Sequence, residues 1–178
     1  MKVDFYRTIH KAVRRRLFLV SMQIGTTDFA DEMALAELGT VLQSLFNFLR
    51  RHAEHENEHV NPLIKYVAPE MDFDTEHAEQ EAALDGLEQD FREIVHGEEK
   101  REKGAAFYQR FNGFVGNYLE HLNEEERMMP VLWEHYSEGE LRAAFLAVVT
   151  SITPAEMEES MPYMMLSINP QEREAFAS

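Results

Sequence analysis

Apolar residues recur at steps of three and four positions in four long segments of the chain. This spacing places them on one face of an α-helix, whereas β-branched residues are scarce and no alternating run typical of a strand is present. The pattern predicts helices over about residues 3–24, 31–60, 74–96 and 105–132, with the third capped by Asp74 or Thr75. Short connections between long helices favour antiparallel neighbours. The predicted fold is all-α, an up-down-up-down four-helix bundle.

The chain after residue 136 has a different pattern, with shorter segments bounded by helix-start signals. Two such signals fit the capping box, in which the side chains of two residues three apart each accept a hydrogen bond from the backbone N–H of the other. They are Ser137 with Glu140 and Thr153 with Glu156. We therefore predict a bundle domain over residues 1–136 and a C-terminal helical extension over residues 137–178. This extension is expected to pack on the bundle, and its helices are a candidate surface for a homodimer or a protein partner.

Polar residues interrupt the apolar stripes of all four predicted helices. In the second helix, leucines keep the spacing up to Leu49, and His52 and Glu56 then continue it. The fourth helix does the same with His121 and Glu125. The full set of polar residues at these interior positions is His10, His52, Glu56, His77, His121 and Glu125.

Burying such groups without partners is unfavourable, by roughly 2–7 kcal/mol for even a neutral polar group. A divalent cation compensates, because neutral imidazole and ionised carboxylate are good metal ligands. A His and a Glu four residues apart lie on the same helix face and reach the same ion or neighbouring ions. The alternative is a buried His–Glu hydrogen-bond network without metal. The ligand types are compatible with iron, and also with zinc or manganese.

Composition narrows the function classes. The net charge is −16, which argues against nucleic acid or an anionic membrane as a partner. The absence of cysteine excludes disulfides, thiolate metal sites and thiol catalysis. Residues 14–22 carry three arginines and then an apolar run, but no signal-cleavage pattern follows, and no stretch reaches the roughly 20 apolar residues of a membrane span. We expect a soluble, cytoplasmic protein.

The combination of one His, a His-x3-Glu pair, one His and a second His-x3-Glu pair on successive helices resembles the hemerythrin-like (HHE cation-binding) family. The strings that carry the resemblance are TIHKAVRRRL, FLRRHAEHENEHVNPLI, TEHAEQEAALDGL and YLEHLNEEERMMPVLW, within about residues 5–135. The resemblance implies a non-haem di-iron centre, with the four histidines of the set as nitrogen ligands and Glu56 and Glu125 as bridging carboxylates. Members of this family bind oxygen reversibly, sense oxygen or iron, or handle peroxide and nitric oxide.

Two positions depart from the oxygen-carrying hemerythrins. Those proteins have a second His one turn after the His of the third helix, where this chain has Glu81, and an Asp in the fourth helix where this chain has Glu126. Glu81 and the in-phase His59 are further ligand candidates of lower weight. Glu126 is expected to face water, and Tyr6 and Tyr118 either donate hydrogen bonds to the ligands or only pack in the core.

The predicted function is a di-iron protein that is redox-active or responds to oxygen, peroxide or nitric oxide, rather than a simple oxygen carrier. Any enzyme activity is expected to be at most a weak oxidase or peroxidase type, and no catalytic residue is assigned. The alternative is a metal-dependent regulatory or interaction module without turnover.

Overall fold

Helices account for all regular secondary structure in residues 2–177, the part of the chain that the computed structural model describes. In chain order they are α1 (Arg7–Thr26), α2 (Glu32–His59), α3 (Asn61–Val67), α4 (Phe73–His96), α5 (Lys100–His135), α6 (Glu138–Ser151), α7 (Pro154–Ser167) and α8 (Pro170–Ala177). None of the helices in this range is both long enough and apolar enough to cross a membrane.

The four long helices form a closed ring. Helix α1 packs against α2 and α5, and α4 packs against the same two helices. Short connections join α1 to α2 and α4 to α5, and α3 lies between α2 and α4. Neighbours in the ring run antiparallel, so the predicted up-down-up-down four-helix bundle is confirmed.

The starts of three helices differ from the sequence pattern. Helix α1 begins at Arg7 rather than near residue 3. Asp72 caps α4 by accepting hydrogen bonds from the backbone and hydroxyl of Thr75, so the predicted cap at Asp74 or Thr75 is wrong. Asp74 instead accepts a hydrogen bond from Asn61 and pairs with Lys65. Helix α5 begins at Lys100, several residues earlier than predicted, and Gly104 lies within it.

The second predicted helix ends within one residue of its expected end, and a separate short helix follows it. Helix α2 ends at His59, and the short α3 follows with Pro62 in its first turn. Proline is tolerated there because the first backbone N–H groups of a helix have no partner within the helix. Helix α3 packs on α5 and covers one end of the bundle.

Two apolar clusters fill the bundle, one on each side of a polar layer. The larger cluster contains Val13, Leu49, Leu84 and Tyr118, among others. The smaller cluster is formed at the end covered by α3 and contains Tyr6, Val60, Phe73, Met128 and others. In each long helix, the predicted ligands lie between a member of the first cluster and a member of the second. Protein therefore surrounds this layer on both sides.

The C-terminal helices pack on the outside of the bundle, α6 on α2 and α7 on α1. Both predicted capping boxes, Ser137 with Glu140 and Thr153 with Glu156, are present. The side chain of Glu159 on α7 accepts hydrogen bonds from Arg16, Ser44 and Arg51 and so joins α7 to α1 and α2. The division of the chain at residue 136 stays a prediction.

Candidate metal centre

All six predicted ligands point into the polar layer and are buried, with at most 7% of each residue exposed. The up-down topology brings them to one level. His10 and His77 lie near the starts of α1 and α4, whereas the two His-x3-Glu pairs lie in the last halves of α2 and α5. Because neighbouring helices are antiparallel, starts and ends meet at the same end of the bundle.

The six residues form two overlapping groups. In the first, ligand atoms of His10, His52, Glu56 and Glu125 lie within 4.8 Å of one another. In the second, those of His77, His121 and Glu125 do so. We call these groups the His10–His52 half and the His77–His121 half of the site. Glu125 belongs to both.

The two oxygens of Glu125 face different halves. Its Oε2 lies 3.4 Å from Nε2 of His10, and its Oε1 lies 3.4 Å from Nε2 of both His77 and His121.

Glu56 is arranged in the same way. Its Oε1 lies 3.3 Å from Nε2 of both His10 and His52, and its Oε2 lies 3.6 Å from Nε2 of His77. Each carboxylate thus directs one oxygen to each half, which is the arrangement that a carboxylate bridging two cations requires.

Several of these inward-facing atoms have no hydrogen-bond partner. Both oxygens of Glu125, Oε2 of Glu56 and Nε2 of His52 are buried and unpaired among the described residues. Buried carboxylate oxygens without partners are strongly unfavourable and rare in folded proteins. The donor set, nitrogen and oxygen without sulfur, therefore fits a divalent cation in each half.

On their outer sides, three of the histidines are held by oxygen atoms. Nδ1 of His10 lies 3.1 Å from Oε1 of Glu126, and Nδ1 of His121 lies 2.7 Å from Oε2 of Glu76. Nδ1 of His77 lies 2.6 Å from Oδ1 of Asn57. When Nδ1 donates to these acceptors, each neutral ring presents the lone pair of Nε2 to the interior, as a metal-binding imidazole does.

Two of these outer partners, Asn57 and Glu76, were not singled out from the sequence, and the prediction that Glu126 faces water holds only in part, since its side chain is 38% exposed. Glu126 does not simply face water, because it contacts His10 and also accepts a hydrogen bond from Arg14. Helix periodicity could not have identified these three outer partners, because each contacts a histidine on a different helix.

In the protein without metal, protons take the place of the cations. Burial alone lowers the pKa of His10, but hydrogen bonds to Glu126 and Glu56 outweigh it and raise the pKa to about 9. For His121, burial is likewise outweighed, by the adjacent carboxylate of Glu125 and by the hydrogen bond to Glu76, and the pKa rises to about 9. Burial and the charge of Glu125 raise the pKa of Glu56 to about 6. Without a cation, these residues thus form a buried network of hydrogen bonds and ion pairs.

His52 behaves differently. Burial lowers its pKa well below the usual value, and the charge of His10 lowers it further. Its ring is therefore neutral near pH 7, as a metal-binding imidazole is.

Two tyrosines flank the layer, one at each half. The ring of Tyr6 lies 4.7 Å from that of His10, and the ring of Tyr118 lies 6.0 Å from that of His121, measured between centroids. Both hydroxyl groups are buried without a hydrogen-bond partner in residues 2–177. Burial and the charges of Glu56 and Glu125 raise the pKa of both phenols, so that both keep their protons.

The two lower-weight candidates, Glu81 and His59, lie outside both groups. Glu81 is one turn beyond His77, which moves it about 6 Å along α4, and its side chain is exposed. His59 is the last residue of α2, and the nearest carboxylate to its Nε2 is that of the adjacent Glu58, at 3.9 Å. The geometry gives neither residue a place in the site.

Comparison with known proteins agrees with this geometry. The family profile described as the hemerythrin HHE cation binding domain matches residues 1–132. A relative, F-box/LRR-repeat protein 5 of Danio rerio, is 22% identical over 147 residues, which are 80% of this chain and 21% of that protein. The chain thus spans about a fifth of that relative's length. No solved structure matches significantly. Since the profile covers most of the chain and all six residues of the site, the chain belongs to the hemerythrin HHE cation-binding domain family.

Proposed function

We propose that this protein holds two iron ions, one in each half of the site, and that the pair is redox-active or responds to oxygen, peroxide or nitric oxide. The observation that carries the proposal is the division of the Glu56 and Glu125 oxygens between the two halves. A single cation would not use both oxygens of both carboxylates in this way.

Each half offers four protein donor atoms, namely two imidazole nitrogens and one oxygen from each shared carboxylate. Iron commonly accepts more than four ligands, so this number leaves positions for a small exogenous molecule. An iron pair supplies one-electron redox chemistry and affinity for oxygen, peroxide and nitric oxide. The chain's own residues bind and orient, exclude water through the two apolar clusters, and retain protons at Tyr6 and Tyr118.

Simple oxygen carriage is a poorer match to this site. The residue at the position of the carrier's additional histidine, Glu81, is exposed, and Glu126 contacts a histidine instead of facing the interior. With two histidines in each half, the halves are more alike than in a site that has an additional histidine on one side.

Zinc or manganese would suit the same donors. A cytoplasmic location belongs to the proposal, supported by the absence of cysteine.

Metal analysis and absorption spectra of anaerobically purified protein test the proposal. We expect about two iron ions per chain, a charge-transfer band in the oxidised state, and a spectral change on adding oxygen, peroxide or nitric oxide. Glu125→Ala should remove both ions because Glu125 is shared, and His52→Ala should weaken one half first. Glu124→Ala and His135→Ala are the matched controls. Colourless protein that holds zinc or no metal would overturn the proposal.

A second candidate is a metal-dependent interaction module without turnover, acting through a second copy of the chain. It is supported by three apolar side chains on α6 that are 37–54% exposed, Phe145, Leu146 and Val149. In the relative from Danio rerio, moreover, the matched region is a fraction of a longer chain.

Sedimentation with and without metal tests this second candidate. Metal should raise the melting temperature by binding the folded state and should shift the protein to a dimer. Leu146→Glu should keep it monomeric at unchanged metal content, whereas Glu138→Gln, at the exposed start of the same helix, should not. A monomer in both metal states would eliminate this candidate.

A further inference from the structure

Two clefts run along α4, one on each side, and both reach the same half of the site. The cleft between α2 and α4 has a volume of about 110 Å³ and is lined by His77. The cleft between α4 and α5 has a volume of about 480 Å³ and is lined by His121. His10 and His52 line neither of them. Both clefts therefore reach the site at its His77–His121 half.

The clefts share two residues, Gln80 and Tyr118. Both carry a buried polar atom without a hydrogen-bond partner among residues 2–177, Oε1 of Gln80 and the hydroxyl of Tyr118. Leaving a buried polar group unpaired costs about 1–3 kcal/mol. A small molecule with an acceptor atom at the inner end of either cleft would relieve the cost at Tyr118 by accepting a hydrogen bond from its hydroxyl.

We propose that the exogenous ligand binds at the His77–His121 half, reaches it along α4, and accepts a hydrogen bond from the hydroxyl of Tyr118. This inference rests on the proposed iron site and adds the position and the chemical class of its ligand. Tyr118 is thereby a ligand-positioning residue.

The charge of the wider cleft favours an uncharged ligand. The wider cleft is lined by four carboxylates, those of Glu76, Glu79, Glu120 and Glu124, against the single cation of Arg110. That cation also forms an ion pair with Asp90. A cleft lined by one sign of charge lowers the local concentration of ions of the same sign. Nitric oxide, oxygen and hydrogen peroxide are uncharged, whereas azide is an anion.

Tyr6 provides an internal control for the role of Tyr118. Its hydroxyl is also buried and unpaired, and its ring also lies beside a histidine of the site, but it lines neither cleft. Tyr118→Phe and Tyr6→Phe each remove one unpaired hydroxyl from the core. A general effect of losing a phenol near the metals would appear in both variants, and a ligand contact only in the first.

The first experiment titrates the oxidised, iron-loaded protein with sodium azide and follows the charge-transfer band. Tyr118→Phe should raise the dissociation constant about five-fold, as expected for one hydrogen bond, and Tyr6→Phe should change it less than two-fold. Iron content and melting temperature are measured for each protein. Equal effects of the two substitutions, or no effect of Tyr118→Phe at full iron content, would overturn the inference and leave the iron site standing. Absence of iron from the wild-type protein would instead overturn the proposed function.

The second experiment blocks the wider cleft. Ala83 lines that cleft, whereas the adjacent Ala82 lines neither, and both are exposed. Ala83→Trp should slow azide association several-fold in stopped flow, and Ala82→Trp should not. In the wild-type protein, added salt should speed azide association by screening the carboxylates and should leave nitric oxide association unchanged. Equal association rates for the two tryptophan variants, or azide association that salt does not speed, would contradict access through this acidic cleft.

Discussion

Nε2 of His77 lies 3.0 Å from Nε2 of His121. The Nδ1 atom of each ring is already paired with an oxygen, of Asn57 and Glu76 respectively. With Nδ1 as the donor, two neutral rings would direct lone pairs at each other across this distance. Either a proton or a cation must lie between them, so the metal content and the protonation of this site are linked.

This linkage predicts opposite pH dependence with and without metal. A histidine with a raised folded-state pKa stabilises the fold fully below its unfolded pKa of about 6.5. That contribution is lost as pH rises through the folded pKa, about 9 for His10 and His121. The metal-free protein should therefore lose several degrees of melting temperature between pH 6.5 and 9.

Metal binding requires deprotonated ligands, so the iron-loaded protein should gain stability over the same interval. Melting curves recorded anaerobically, with a chelator or with excess ferrous iron, measure both slopes. His135→Ala should leave them unchanged, because His135 is exposed and lies outside the site. Parallel slopes in the two states would refute the linkage.

Glu126 should support metal binding without contacting the metal. Its carboxylate accepts a hydrogen bond from Nδ1 of His10 and is held by Arg14. Loss of such an outer partner typically weakens metal affinity by about 10–100-fold, and Glu126→Ala should do so. The measurement is competition with a chelator of known affinity, with Glu124→Ala as the control. Equal affinities of these two variants would show that orientation of His10 does not depend on Glu126.

The contact between α7 and the bundle should contribute measurably to stability. The guanidinium of Arg16 lies between the rings of Phe48 and Tyr163 and donates to Glu159, and Arg16 is only 3% exposed. Glu159→Ala leaves this buried charge without its anion, which we expect to cost about 2 kcal/mol of unfolding free energy.

Urea denaturation measures this cost, and Glu158→Ala, at an exposed position of the same helix, is the control. A third variant, Arg16→Met combined with Glu159→Ala, should recover much of the loss because it also removes the unpaired charge. No recovery in the double variant would mean that Glu159 stabilises α7 through its other partners, Ser44 and Arg51.

Two glycines of α5 should respond to alanine with opposite signs. A Cβ at Gly104 would lie 2.4 Å from the ring of Phe29, whereas nothing lies within 4 Å of one at Gly113. Gly104→Ala should therefore destabilise the fold by about 1–3 kcal/mol through overpacking. Gly113→Ala should stabilise it by about 0.5–1 kcal/mol through helix propensity. The urea denaturation midpoints of the two variants and the wild-type protein measure these effects. Midpoints that shift in the same direction for both variants would contradict the prediction.

Periodicity in the sequence was enough to determine which residues face the interior. A helix repeats every 3.6 residues, so His52 and Glu56 follow the leucines before them onto one face whatever the packing of the other helices. The capping boxes at Ser137 and Thr153 were equally predictable, because both members of each lie within one helical turn. The four helices and the six inward-facing polar residues follow from such local rules.

Tertiary structure alone decided how those residues meet. The assignment of each carboxylate oxygen to one half, and the pairing of His10 with Glu126 and of His121 with Glu76, depend on the rotation and relative height of packed helices. The exclusion of Glu81 has the same origin, since one turn along α4 takes it out of the polar layer. Spacing along a chain determines the face of one helix, but distances between helices depend on the side chains that fill the space between them.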